Sequence, residues 1–168
     1  MNIIVAGIGN LLMGDDGLGI HAIHAMKEAP RISGITILDV GTSALAVAAD
    51  LAQADYLLFI DAIHAGGQPG VVHQFSGDRI APPKSPRSLH EYGVSHVLAQ
   101  MDSVHRPREI IVVGLEPGAL DFGMNLSDPV AQALPALVEA AWQIVNRWRS
   151  LPVHNPRRHV DQLQESIP

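Results

Sequence analysis

Two adjacent acids, Asp15 and Asp16, stand in the glycine-rich run Gly7-Ile8-Gly9-Asn10-Leu11-Leu12-Met13-Gly14-Asp15-Asp16-Gly17, directly after an apolar stretch that suits a buried strand. A strand-to-helix turn of this kind ordinarily offers backbone N–H groups and the positive end of a helix to a phosphate. Two carboxylates in that place repel an anion and invite a cation. The dinucleotide fingerprint G-x-G-x-x-G also fails, because Leu12 stands where the third glycine belongs. Asp39 and Asp61 close two further apolar stretches, and His90 lies in Ser88-Leu89-His90-Glu91, which has the form of a helix capping box. An imidazole at a helix N-terminus meets the positive end of the dipole, which disfavours its charged form and keeps it able to ligate. Carboxylates, a neutral imidazole and open positions suit a hard-to-borderline divalent metal.

Each of these residues also has a plain structural reading. One of Asp15 and Asp16 is expected to cap the helix that starts near Gly17. Asp39 stands where a nucleotide fold places its ribose-binding acid, but bonding to the Gly41-Thr42 turn is the favoured reading. Asp61 would be costly to bury without a partner, which favours a functional role. His64, three residues on, is a contact candidate, whereas His21 and His24 read as the solvated edge of an amphipathic helix. His90-Glu91 does not complete H-E-x-x-H, since Val94 takes the place of the second His, and no G-x-S-x-G is present.

The elements that position these groups follow from the apolar pattern. Strands are expected over 2–7, 34–39, 56–61, 71–75 and 110–114, and helices from Leu18 to Met26, over 44–52, over 88–101 and from Asp128 to Arg149 with a kink at Pro135. The link over 65–70 is too short for a parallel crossover, so the fourth strand is expected to lie antiparallel to the third. Residues 78–87, with three prolines, form a loop. The β-α-β-α-β rhythm predicts a three-layer α/β/α sandwich whose five-stranded sheet is mostly parallel with one antiparallel strand. In the order 2-1-3, the loops after strands one and three flank the switch point, where ligands bind in open α/β sheets.

The 168 residues, 47% of them hydrophobic, suffice for one domain over 1–150, followed by a proline-containing, charged tail over 151–168. A net charge of −6, with no basic cluster before Arg157-Arg158, argues against a nucleic-acid partner. The absence of cysteine excludes disulfides, thiolate metal sites and a Cys nucleophile, so any metal must be held by oxygen and imidazole. With no basic export-type start and no apolar run approaching the ~20 residues of a membrane span, a cytoplasmic protein with no membrane partner is expected.

These residues together closely resemble the maturation endopeptidases of nickel-iron hydrogenases, which remove a C-terminal extension from the hydrogenase large subunit. The resemblance covers most of residues 2–145. It rests on Gly7-Ile8-Gly9-Asn10 with Asp15-Asp16-Gly17-Leu18-Gly19, on Asp39-Val40-Gly41-Thr42, on Ile60-Asp61-Ala62 and on Ser88-Leu89-His90-Glu91-Tyr92-Gly93. Gly114-Leu115-Glu116-Pro117 and Leu126-Ser127 complete it. It implies that residues 1–150 form a peptidase domain in which Asp16, Asp61 and His90 are at once metal-binding triad and catalytic centre. It further implies that the nickel arrives on the large-subunit precursor, with zinc or cadmium able to substitute in vitro. Asp39, Thr42 and His64 are then candidate substrate contacts. Some members carry Glu at the position of Asp16, which alters the reach by one methylene. One rival reading is a non-catalytic nickel-binding maturation chaperone with the same triad. Another is a nucleotide-binding module built on Gly7 and Gly9, against which Leu12 and the acids count.

Overall fold

Ile3, Ile4, Val5, Ala6 and Ile8 leave the first strand, β1 (Ile3–Ile8), apolar on both faces, and such a strand is stable only inside a sheet covered on both sides. The computed structural model, which describes residues 1–43, 47–77, 94 and 106–152, places it there. β1 pairs in parallel with β2 (Ile35–Gly41) and with β3 (Tyr56–Ala62). β3 pairs in parallel with β5 (Glu109–Leu115), and β4 (Val72–Ser76) joins β5 antiparallel, giving the order β2-β1-β3-β5-β4. This is the expected five-stranded, mostly parallel sheet.

One pairing differs from expectation, since β4 lies against β5 and not against β3. β3 is buried on both faces and takes parallel neighbours on both edges, whereas β4 alternates between exposed and half-buried residues and fits the rim. The turn before it carries the chain across the end of β5, where Gly70 N–H donates to Glu116 O and Glu116 N–H donates to Val71 O.

One face of the sheet is covered by α1 (Leu18–Lys27) and the long α3 (Asp128–Arg149), which bury Leu18, Ile23, Leu137 and Val145 against Val5, Leu58, Ile60 and Val113. Trp148 closes this core, stacked on Tyr56 at 5.3 Å with its indole N–H donated to Glu109. α3 runs through the exposed Pro135 as one helix. The other face carries the short α2 (Ala48–Leu51), and Leu51 and Val94 pack there with Ile4, Ala6, Leu57, Phe59 and Val112. The helix expected over 88–101 lies outside the described residues apart from Val94, as do the 78–87 loop and residues 153–168. No helix among the described residues is long and apolar enough to cross a membrane.

Two glycines set how closely the turn after β1 approaches the sheet. A Cβ on Gly19 would collide with the carbonyl oxygens of Ile8 and Ile60, so only glycine lets α1 sit on the ends of β1 and β3. Gly9, at φ +135°, passes the backbone of Asp16 just as closely and folds the acid-bearing turn back over the strand end.

Candidate active site

The chain leaves β1 and forms a 3-10 turn at Gly14–Gly17, which sends its two acids to different partners. The Asp15 carboxylate is fully buried and accepts four hydrogen bonds, from Gly118 N–H at 2.7 Å, Ala119 N–H at 2.8 Å, Ser127 N–H at 2.7 Å and the Ser127 hydroxyl at 2.7 Å. Burial pushes its pKa up, but the bonds from Ala119, Ser127 and Gly118 together outweigh that and hold it below the usual carboxylate range. Asp15 is thus a clamp between the first turn and the 118–127 segment. Among the described residues, neither acid makes the expected cap, since the 3-10 turn and α1 both begin without a side-chain cap bond.

Asp16 accepts the N–H of Asn10 at 2.8 Å, and Asn10 Oδ1 in turn accepts the N–H of Leu12 at 3.0 Å. These bonds close the 10–16 loop into one unit at the carboxyl edge of the sheet. Asp61, next to last on the adjacent strand β3, accepts the N–H of Ala62 at 2.8 Å. Burial pushes its carboxyl up to about 7 against the opposing pull of that bond, and the negative charge of Asp16 adds to the rise. The fold therefore brings Asp16 and Asp61 within electrostatic reach of each other, and at neutral pH Asp61 is divided between its acid and its carboxylate. A carboxyl in that condition can exchange a proton or, once ionised, hold a cation. An all-oxygen pair suits a hard or borderline divalent ion, whose charge would relieve the repulsion between the two acids. His90 lies outside the described residues. Among the described residues no group of three or more His, Asp and Glu forms a metal cage.

The candidate substrate contacts are dispersed. Asp39 faces His24 of α1 across 3.5 Å, both side chains largely exposed, and among the described residues it makes no hydrogen bond to the Gly41-Thr42 turn. Thr42 is exposed in that turn, beyond the outer strand β2. His21 donates to the carbonyl of Met124 at 3.1 Å, so the two α1 histidines have separate partners. His64 is exposed on the segment that follows Asp61, with Nδ1 3.9 Å from Glu116 Oε1.

Glu116 has a role that sequence reasoning missed. It is buried, and it accepts the N–H groups of Ala65 at 2.8 Å and Gly66 at 3.3 Å together with a His73 ring N–H at 3.1 Å. The Ala65 bond foremost, then those from Gly67, Gly66 and His73, hold its carboxyl below the usual range against the effect of burial. Glu116 thereby ties the segment behind Asp61 to the end of β5 and to β4. The available signal was an acid closing an apolar strand, as at Asp39 and Asp61.

Known proteins share this fold and its sequence pattern. A family model described as hydrogenase maturation protease, HycI, matches residues 20–144. The hydrogenase expression/formation protein HupD of Rhizobium leguminosarum bv. viciae is 35% identical over 153 residues, covering 87% of this chain and 75% of that protein. HupM of Azotobacter chroococcum mcd 1, described in the same words, is 37% identical over 145 residues, 83% of this chain and 69% of its own. Among solved structures, the hydrogenase maturating endopeptidase HybD from E. coli superposes with a TM-score of 0.78 at 25% identity, over 88% of this chain and 93% of that one. The [NiFe] hydrogenase maturation protease HybD from Thermococcus kodakarensis gives a TM-score of 0.69 at 31% identity, over 86% and 99%.

Proposed function

The chain belongs to the hydrogenase maturation protease family, and from that premise we propose that it is the endopeptidase that removes the C-terminal extension of a nickel-iron hydrogenase large-subunit precursor after nickel insertion. The observation that carries this reading is the Asp16–Asp61 pair at the carboxyl edge, with Asp61 poised near neutrality. The nickel belongs to the substrate. Asp16 and Asp61, with His90, would engage it as it arrives on the precursor, and zinc or cadmium would stand in for it in vitro.

The chemistry of the pair supplies a reason for selectivity. A precursor without metal brings no positive charge to offset the repulsion between Asp16 and Asp61, so at neutral pH Asp61 stays divided between its protonated and ionised forms. A nickel-loaded precursor brings that charge, ionises Asp61 and is held by the exchange, because cation binding to a protonated carboxyl releases its proton. The scissile bond is thereby fixed beside the edge, where a polarised water attacks its carbonyl carbon and the amine departs with a proton. Glu116 keeps the 65–67 backbone in place behind Asp61. Asp39, Thr42 and His64 would touch the precursor farther out.

A non-catalytic nickel-binding chaperone would need the same acids, so cleavage itself is the test. Incubation of the protein with nickel-loaded precursor, followed by intact-mass analysis, is expected to give a shortened large subunit and one released peptide. A precursor of unchanged mass, retained in a stable complex, would favour the chaperone.

A further inference from the structure

Large apolar side chains are left exposed in an uneven way. Among the described residues, Leu12, Leu120, Phe122 and Met124 stand out from the two segments on either side of the Asp15 clamp, and Val71 and Val72 stand out where β4 starts beside the end of β5. All six lie at the carboxyl edge of the parallel strands, the edge that holds Asp16 and Asp61. Among the described residues, the other large apolar side chains with comparable exposure, Met1 and Leu151, lie at the start of the chain and just past α3.

The apolar surface is held on a fixed backbone. Gly123 N–H donates to Leu12 O at 2.9 Å, Gly14 N–H to Gly123 O at 2.8 Å and Asp15 N–H to Ala119 O at 3.0 Å. The buried Asp15 carboxylate then fastens residues 118, 119 and 127 to the same turn. Phe122, 83% exposed, is thus carried on a segment bonded on both sides. Concentrated apolar exposure of this kind marks an interaction surface, and an aromatic ring presented on rigid backbone is the usual anchor of one.

We propose that this surface seats an apolar stretch of the hydrogenase precursor polypeptide, with Phe122 as its anchor, next to the Asp16–Asp61 pair. The inference rests on the reading of the chain as a processing endopeptidase. The choice of occupant follows from continuity with the site, since Leu12 and Asp16 belong to the one closed loop, through Asn10. The loop that carries Asp16 also presents Leu12, so a polypeptide engaged at Asp16 lies at the edge that bears this surface. A second copy of the chain seated here would cover the edge that the substrate has to reach.

The test is steady-state processing of nickel-loaded precursor by wild type, Phe122→Ser and Leu151→Ser. Phe122→Ser folds normally, its side chain being exposed, and is expected to raise KM about tenfold, the change that loss of one desolvated aromatic contact gives, with kcat unchanged. Leu151→Ser, at the far end of α3, controls for surface apolarity in general and is expected to match wild type. If wild type cleaves and Phe122→Ser keeps its KM, the inference is overturned and the function stands. Loss in kcat alone would overturn it too, as would a wild-type dimer that Phe122→Ser dissociates, which would assign the patch to a second copy. A wild-type protein that leaves the precursor uncut would remove both the function and the inference.

Discussion

Asp61→Asn is expected to abolish processing and, in the same molecule, to make the fold more stable above neutral pH. The two effects share one cause. The Asp61 carboxyl titrates at about 7 in the folded protein, whereas an unfolded chain holds Asp near ~3.9. At pH values below both, the proton is bound in either state and the residue is neutral toward stability. Between them the folded state retains a proton that the unfolded state has released, so this carboxyl's contribution to stability falls as pH rises through that window. Above about 7 the folded protein carries the full cost of a partly buried charge beside Asp16. Asparagine keeps the oxygen that accepts the Ala62 N–H and removes the charge. The gain in unfolding free energy is then on the order of 1 kcal/mol or more at the alkaline end, since a tenfold difference in proton affinity between folded and unfolded chain is worth about 1.4 kcal/mol. Thermal unfolding of both proteins from about pH 5 to about pH 8 checks it. The melting temperatures should diverge with rising pH, the variant above. A variant less stable than wild type at the alkaline end, or one that still processes precursor, would contradict the placement of Asp61. Sites of function commonly hold such destabilising groups.

Asp15→Ala should do the reverse, costing stability first and activity only as a consequence. The substitution leaves three backbone N–H groups and the Ser127 hydroxyl without their acceptor in a buried place. Each buried orphan costs about 1–3 kcal/mol, and water entering a relaxed loop recovers part of that, so a loss on the order of 3–5 kcal/mol is expected. The pH signature also has the opposite sign. A carboxylate whose folded pKa is depressed contributes stability that is present above the ordinary value and is lost as pH falls through the depressed one, so this clamp releases only in acid. Urea titration should show a lower midpoint with an unchanged slope, and hydrogen exchange should quicken at the amides of residues 118, 119 and 127. Asp16→Asn, one residue away, should leave the midpoint close to wild type. Equal stability of Asp15→Ala and wild type would show that the 118–127 segment is held by something else.

The contrast between Asp15 and Asp16 marks how far the sequence could be read. Continuous apolar runs such as 2–7 and 56–61 cannot rest at a rim or face water, so the central strands and the acids at their carboxyl ends were legible, and the supposed order 2-1-3 agrees with the one found. Which of two neighbouring acids lies within electrostatic reach of Asp61 was not legible from spacing, because a 3-10 turn directs adjacent side chains apart. The partner that decides it, Ser127, lies 112 residues farther along the chain. Glu116 escaped notice for a similar reason, its partners being backbone groups 50 and 51 residues earlier. The placement of β4 turned on which edge a short turn crosses, and the alternation of Val72–Ser76 fits either edge of a sheet. Apolar residues such as Phe122 look like core until the fold leaves them outside.

The central claim, nickel-dependent recognition through Asp16, Asp61 and His90, is tested most directly by offering nickel-loaded and nickel-free precursor side by side to wild type, Asp16→Asn, Asp61→Asn and His90→Ala, each checked for folding, and following cleavage by intact mass. Cleavage at one point is expected for wild type with the nickel-loaded precursor alone, with none for any variant and none without nickel. Equal cleavage of the nickel-free precursor, or near wild-type cleavage by any two of the variants, would contradict it.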